Sequence, residues 1–193
     1  MVASAPLYTM RRATMHRRDF RWKPHPALAG APAYLHPWLS DPGSLTARIL
    51  ARCGTFRVQV LGEGHALPAV DERGQIGLPA GRLAWTREVL LLADEMPVVF
   101  AHSILAPRDL TGAWHMARAI GSQPLGAALF ADPGISRGPL ATARIAPGHP
   151  LHQHAGAAAH ANLPTLWARR SRFSRLGRPL LVTEVFLPGI EKL

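Results

Sequence analysis

Two side chains of opposite charge stand where apolar ones are expected. Glu184 lies inside R-P-L-L-V-T-E-V-F-L-P (178–188), a proline-flanked run that reads as a buried strand. Alternation puts Leu180, Val182, Glu184 and Phe186 on one face of it. Arg87 holds the same kind of position in R-L-A-W-T-R-E-V-L-L-L-A (82–93), sharing a face with Leu83, Trp85, Val89 and Leu91. A charge in an apolar row needs a partner. Two readings follow. Arg87 and Glu184 form an ion pair that satisfies only itself, which is weak evidence of stabilisation. Alternatively, both line a closed pocket for a ligand with an anionic end and a hydroxyl end.

Other candidate chemistry is weaker. His149, His152, His154 and His160 sit in an Ala/Gly/Pro setting with no adjacent carboxylate or thiolate, so no metal site is expected. Arg169, Arg170, Arg172 and Arg175 surround Phe173. Strand alternation divides them, with Arg170, Arg172 and Ser174 on one face and Arg169, Ser171, Phe173 and Arg175 on the other. That split argues against a nucleic-acid surface and for a solvated face with one or two anion-directed arginines. There is no phosphate-binding glycine fingerprint and no G-x-S-x-G elbow. Cys53, the single cysteine, reads as core and suits a reducing cytoplasm.

The elements that must position these residues come from a chain of 193 residues, 48% hydrophobic, enough for one domain with a core. Seventeen Gly and eighteen Pro imply many turns and short elements. No apolar run approaches the roughly 20 residues of a membrane span, and no membrane insertion is expected. The net charge of +10 is almost all arginine and reads as a basic soluble protein. Residues 1–32 read as a basic, disordered leader and 33–193 as the domain.

Within the domain, Ser44 caps a helix that stacks Leu45, Ile49 and Cys53 with Leu50 and stops at Gly54. Residues 55–61 alternate as a strand ended by Gly-Glu-Gly. Residues 82–93 and 98–106 form a hairpin through D-E-M-P. A helix is expected over 109–120, and a shorter one near S-Q-P-L-G with Pro124 in its first turn. The His-rich segment 146–164 reads as a long exposed loop, and a second hairpin closes the domain. The sum is an α+β fold with an antiparallel sheet.

Three blocks then carry a resemblance. T-R-E-V-L-L-L-A-D-E-M-P, Q-P-L-G-A-A-L-F and L-W-A-R-R-S-R-F-S-R-L-G-R-P-L-L-V-T-E-V-F-L-P follow one another between Trp38 and Leu187. Together they resemble the chorismate pyruvate-lyase family. The resemblance implies a monomeric, cofactor-free protein, with helices on one face of the sheet forming flaps over a buried site. It also implies conversion of chorismate to 4-hydroxybenzoate and pyruvate for ubiquinone synthesis. The family's essential arginine and glutamate map to Arg87 and Glu184. Two further ligand contacts map to Leu125, in P-L-G, and to Leu45, in G-S-L-T, where better-known members carry methionine. Both leucines follow a residue at a helix start, so backbone amides there would suit a carboxylate. The longer leader, Ala168 in place of a glycine and the His-rich insertion are departures. The competing expectation is a non-enzymatic sensor of small aromatic acids, related to the effector domains of bacterial regulators. The leader is too short for the winged helix that accompanies those domains.

Overall fold

The computed structural model describes residues 21–193. Seven strands form one antiparallel sheet: β1 (Phe56–Ala66), β2 (Ala84–Ala93), β3 (Met96–Leu105), β4 (Ile135–Arg137), β5 (Ala141–Ile145), β6 (Leu166–Arg175) and β7 (Arg178–Phe186). Their order is β1-β2-β3-β7-β6, and β4 and β5 share the free edge of β6. Six short helices surround the sheet: α1 (His36–Ser40), α2 (Leu45–Leu50), α3 (Val70–Arg73), α4 (Met116–Ala119), α5 (Leu125–Ala131) and α6 (Pro150–Ala159). The α+β class and the antiparallel sheet agree with the sequence.

Both expected hairpins form on two-residue turns. Asp94 and Glu95 adopt φ of 48° and 60° between β2 and β3, and Leu176 and Gly177 adopt 50° and 74° between β6 and β7. Positive φ at both positions is what a tight turn needs to match strand twist. The second turn fixes the register Arg175↔Arg178, and counting inward from it sets Arg169 opposite Glu184.

Several elements differ from the sequence expectation. β1 does not end at Gly-Glu-Gly; it runs on to Ala66 across a bulge between Val60 and Gly62. The expected helix 109–120 reduces to a 3-10 turn at Pro107–Asp109 and the single-turn α4, because Thr111-Gly112 breaks the pattern and Trp114 is drawn fully inside. α2 stops at Leu50, which is exposed, so Cys53 packs from beyond the helix. Pro124 is the N-cap of α5 and not part of its first turn. Residues 21–32, assigned to a leader, are attached. Lys23 bridges Thr142 through backbone bonds, and the Trp22 indole donates to Asp71. The rest of that segment, 1–20, lies outside the described residues.

The segment 146–164 is no loop. Its centre is α6, capped by the His149 ring, which accepts from the Leu151 amide, and ended by His160 in the left-handed region. Leu151 and Ala155 pack on Leu90, Phe100 and Val185. α6 therefore covers the sheet face opposite α2 and α5, a cover that Ala-rich composition concealed. His154 hydrogen-bonds Glu88 at 2.8 Å, and His102 meets the same carboxylate oxygen at 3.0 Å.

Burial works against the Glu88 charge, but the two imidazole bonds and their positive charges win and hold its pKa at about 2. Burial likewise opposes the charged His102 ring, yet the Glu88 bond and the Glu72 and Glu88 charges raise its pKa overall. The signs define a window. Glu88 contributes stability above its ordinary 4.5, lost as pH falls towards about 2. His102 contributes below its ordinary 6.5, lost as pH rises through its raised value. Glu88→Gln is expected to lower unfolding free energy by about 1–3 kcal/mol near pH 5.5, and by less at pH 8.5, in urea melts. A loss independent of pH would contradict this coupling.

Candidate active site

The face of the sheet under α2 and α5 carries Arg87, Val89 and Leu91 from β2, Ala101 and Ser103 from β3, Val182 and Glu184 from β7, and Phe173 from β6. With Leu45, Thr46, Leu125, Gly126, Leu129 and Phe130 from the helices, these residues enclose a cavity. Its interior is small, about 40 Å³, room for roughly three waters. A larger ligand enters only if the helices part.

Arg87 is buried, its side chain 2% exposed. Its Nε donates to Glu63 at 2.8 Å, and its Nη2 donates to the carbonyl of Gly121 at 2.7 Å. Burial pushes the guanidinium pKa down, and Glu63 opposes the shift. Glu63 reaches this face only through the β1 bulge. The extra residue, Leu61, moves the side-chain alternation by one, so Glu63 and not Gly62 stands opposite Arg87.

Glu184 has a different partner. Arg169 donates from Nε to Glu184 at 2.5 Å and from Nη1 to the carbonyls of Trp38 and Asp41 at 2.8 and 2.9 Å. The sequence offered Arg87 as the counter-charge of Glu184. Among the described residues the two form no ion pair, because β3 lies between their strands and each carries its own partner. Arg169 and Arg170 are buried, not solvated: Arg169 on the cavity side and Arg170 on the other, where it pairs with Asp71 and stacks on Trp22.

A third arginine was not singled out in the sequence. Arg137, at the end of β4, lines the cavity. Its Nε donates to Ser171 at 2.8 Å, and its Nη1 donates to the carbonyls of Pro42 and Gly43 at 2.7 and 3.3 Å. The guanidinium rests 5.4 Å from the ring centres of both Phe130 and Phe173.

Leu45 and Leu125 are the first residues of α2 and α5, capped by Ser44 and Pro124, so their amides have no intrahelical acceptor. The helices approach closely where Gly126 meets Thr46; a Cβ at 126 would lie 3.3 Å from the threonine hydroxyl oxygen. All four residues mapped from the sequence, Arg87, Glu184, Leu45 and Leu125, thus line one cavity. Glu63, Arg137 and Arg169 were missed. The register of the Leu176-Gly177 hairpin could have found Arg169, but nothing local in the sequence announces the bulge that delivers Glu63.

The histidines do not converge. His152 bonds the Pro164 carbonyl, His154 bonds Glu88, and His149 and His160 terminate α6. Among the described residues, no group of three or more His, Cys, Asp or Glu side chains could hold a metal ion, and no helix is long and apolar enough to cross a membrane. A second hollow, lined by Tyr34, Trp167, Phe186 and Ile190, has Glu191 as its charged residue and offers no cation to an anionic ligand.

Residues 17–192 match the family model described as chorismate lyase. A protein of Aromatoleum aromaticum named "Probable chorismate pyruvate-lyase" is 55% identical over 174 residues, 89% of this chain and 94% of its own length. One of Nitrosomonas europaea with the same name is 45% identical, covering 88% of this chain and 95% of its own length. Among solved structures, the C-terminal domain of a histidine utilization repressor from Pseudomonas syringae superposes with a TM-score of 0.52 at 8% identity, over 70% of this chain and 93% of that one. A GntR-family regulator from Bacillus cereus gives 0.52 at 11% identity, over 69% and 92%. These two share the fold.

Arg169 is the structural keystone of this face, since it serves Glu184 and two backbone carbonyls at once. Arg169→Ala is expected to lower unfolding free energy by about 3–5 kcal/mol, measured by urea denaturation. A loss below about 1 kcal/mol, the range of an exposed ion pair, would contradict that role.

Proposed function

The chain belongs to the chorismate lyase family, and from that premise we propose that it converts chorismate to 4-hydroxybenzoate and pyruvate, feeding ubiquinone synthesis. In this reading it acts as a cytoplasmic monomer and needs no metal or organic cofactor. The observation that carries the reading is a cavity floor with a cation, Arg87, and a carboxylate, Glu184, on strands two places apart. Two interstrand spacings and a two-residue offset in register, with Arg87 opposite Ser103 and Glu184 opposite Ala101, separate their backbones by about 12 Å on the diagonal; with both side chains reaching into the cavity, that leaves a gap for a para-substituted six-membered ring with a hydrogen bond at each end. The walls between are apolar: Val89, Leu91, Ala101 and Val182 below, Leu129 and Phe130 above.

The ring carboxylate takes the Arg87 fork, displacing the Gly121 carbonyl. The first-turn amides of Leu45 and Leu125 add donors to the same group. At the other end the C4 hydroxyl donates to Glu184, which Arg169 holds in place. With the ring fixed, the ether bond at C3 breaks, C4 loses its hydrogen and the ring becomes aromatic. The hydrogen ends on the methylene carbon of the departing enolpyruvyl group, giving the methyl of pyruvate. Aromatisation supplies the driving force, so the protein contributes orientation and a fixed electrostatic frame. Glu184 either carries the C4 proton or only holds the hydroxyl while the hydrogen passes directly.

Purified protein supplied with chorismate alone is expected to form 4-hydroxybenzoate and pyruvate in equal amounts. Absence of both products would contradict the reading. Glu184→Gln keeps a hydrogen-bond acceptor and removes the base. A fall in kcat of about 100-fold or more would mark Glu184 as the proton carrier, and a fall of a few-fold would mark direct transfer. A site this enclosed should also release product slowly, giving a pre-steady-state burst of about one 4-hydroxybenzoate per active site.

A further inference from the structure

Three buried or half-buried arginines surround the cavity, and two of them face carboxylates. Arg87 has Glu63 and Arg169 has Glu184. Arg137 has neither. Its donors go to a serine hydroxyl and two backbone carbonyls, and its flat faces meet two phenyl rings. Among the described residues no carboxylate lies within ion-pairing distance of it. A guanidinium among neutral partners and aromatic walls, opening into a ligand cavity, is a receptor for an anion.

We propose that Arg137 binds the carboxylate of the enolpyruvyl side chain and so makes the site select a dicarboxylate substrate. This assignment rests on the function proposed above. The ring chemistry supplies the position. In chorismate the hydroxyl and the enolpyruvyl ether occupy neighbouring ring carbons, so the side-chain carboxylate must fall beside the group that holds the hydroxyl. Arg137 is there. Its partner Ser171 sits two residues along β6 from Arg169, on the same face, and Arg169 is opposite Glu184. Arg87 is already matched to the ring carboxylate, and Arg169 commits its Nε to Glu184 and its Nη1 to the carbonyls of Trp38 and Asp41. Burial, then the neighbouring Arg169 charge, press the Arg137 pKa down; the Glu184 and Asp41 carboxylates, beyond ion-pairing distance, oppose the shift without reversing it, and an arriving anion would offset the remaining penalty.

Occupancy also reaches the lid. Arg137 holds the carbonyls of Pro42 and Gly43, immediately before the Ser44 cap of α2. A side-chain carboxylate competes with those carbonyls for the same Nη1, so substrate exchanges a lid tether for a ligand contact. The aromatic product has lost that carboxylate and leaves Arg137 to the carbonyls again.

The test separates substrate from product. Arg137→Met is expected to lower kcat/KM for chorismate about 10- to 100-fold, chiefly through KM. The same variant should keep its affinity for 4-hydroxybenzoate, measured by calorimetry, within about three-fold, a change below 1 kcal/mol. Arg137→Lys, which retains the charge, should recover part of the chorismate KM, and urea melts on both variants monitor the fold. Equal loss of chorismate and 4-hydroxybenzoate affinity, or an unchanged KM, would overturn the assignment. Wild-type protein that leaves chorismate intact would remove the proposed function and this assignment with it, whereas wild-type turnover with an unchanged KM in Arg137→Met removes this assignment alone.

Discussion

Burying arginines beneath short helices is the constraint on which the rest of this structure depends. A guanidinium taken out of water must find acceptors for its donors, and Arg87, Arg137 and Arg169 find many of theirs on the backbone that leads into the lids. Arg87 holds Gly121, just before α5; Arg137 holds Pro42 and Gly43, just before α2; Arg169 holds Trp38, within α1, and Asp41, which caps the end of α1. Helices of six or seven residues are too short to be stable by themselves. They stay in place because the sheet's cations pull their entry loops inward and because Leu45, Ile49, Leu125 and Leu129 pack below. The same donors that hold the lids are those an anionic ligand would claim, so closing the site and binding in it draw on one set of contacts.

This arrangement sets the division of labour between the two faces of the sheet. The cavity face carries the unsatisfied potential of Arg137 and the opposed ends at Arg87 and Glu184. The reverse face is filled by α6, α3 and a network in which His102 pairs with Glu72 and Glu88 and His154 pairs with Glu88. Two regulator domains share the fold at 8–11% identity, so the fold by itself assigns no chemistry, and a functional reading has to rest on the side chains of the cavity face.

Much of this was legible before any coordinates. Alternation placed Glu184 on one face with Leu180, Val182 and Phe186, and the turn segments D-E-M-P and L-G-R-P marked both hairpins; the turns themselves tighten to Asp94-Glu95 and Leu176-Gly177, where the backbone is left-handed. Ser44 was found as a cap because hydroxyls accept from the first turn. What escaped was nonlocal. The bulge in β1 reverses side-chain alternation within one strand, so a pattern reading that ended the strand at Gly-Glu-Gly lost Glu63. α6 was taken for loop because its alanines, glycine and histidines show little apolar contrast; packing on Phe100 and Val185 makes it a helix. Arg87 and Glu184 were matched with each other because the sequence shows opposite charges but not the strand between them.

The central claim is that the cavity reads a ligand from end to end, carboxylate at Arg87 and hydroxyl at Glu184. A crystal structure of the complex with 4-hydroxybenzoate tests it most directly. The expected density places the carboxylate on Arg87 with the Gly121 carbonyl released, the hydroxyl within hydrogen-bond reach of Glu184, and Arg137 still on Pro42. A ligand lying the other way round, or seated in the hollow beside Trp167, would contradict it.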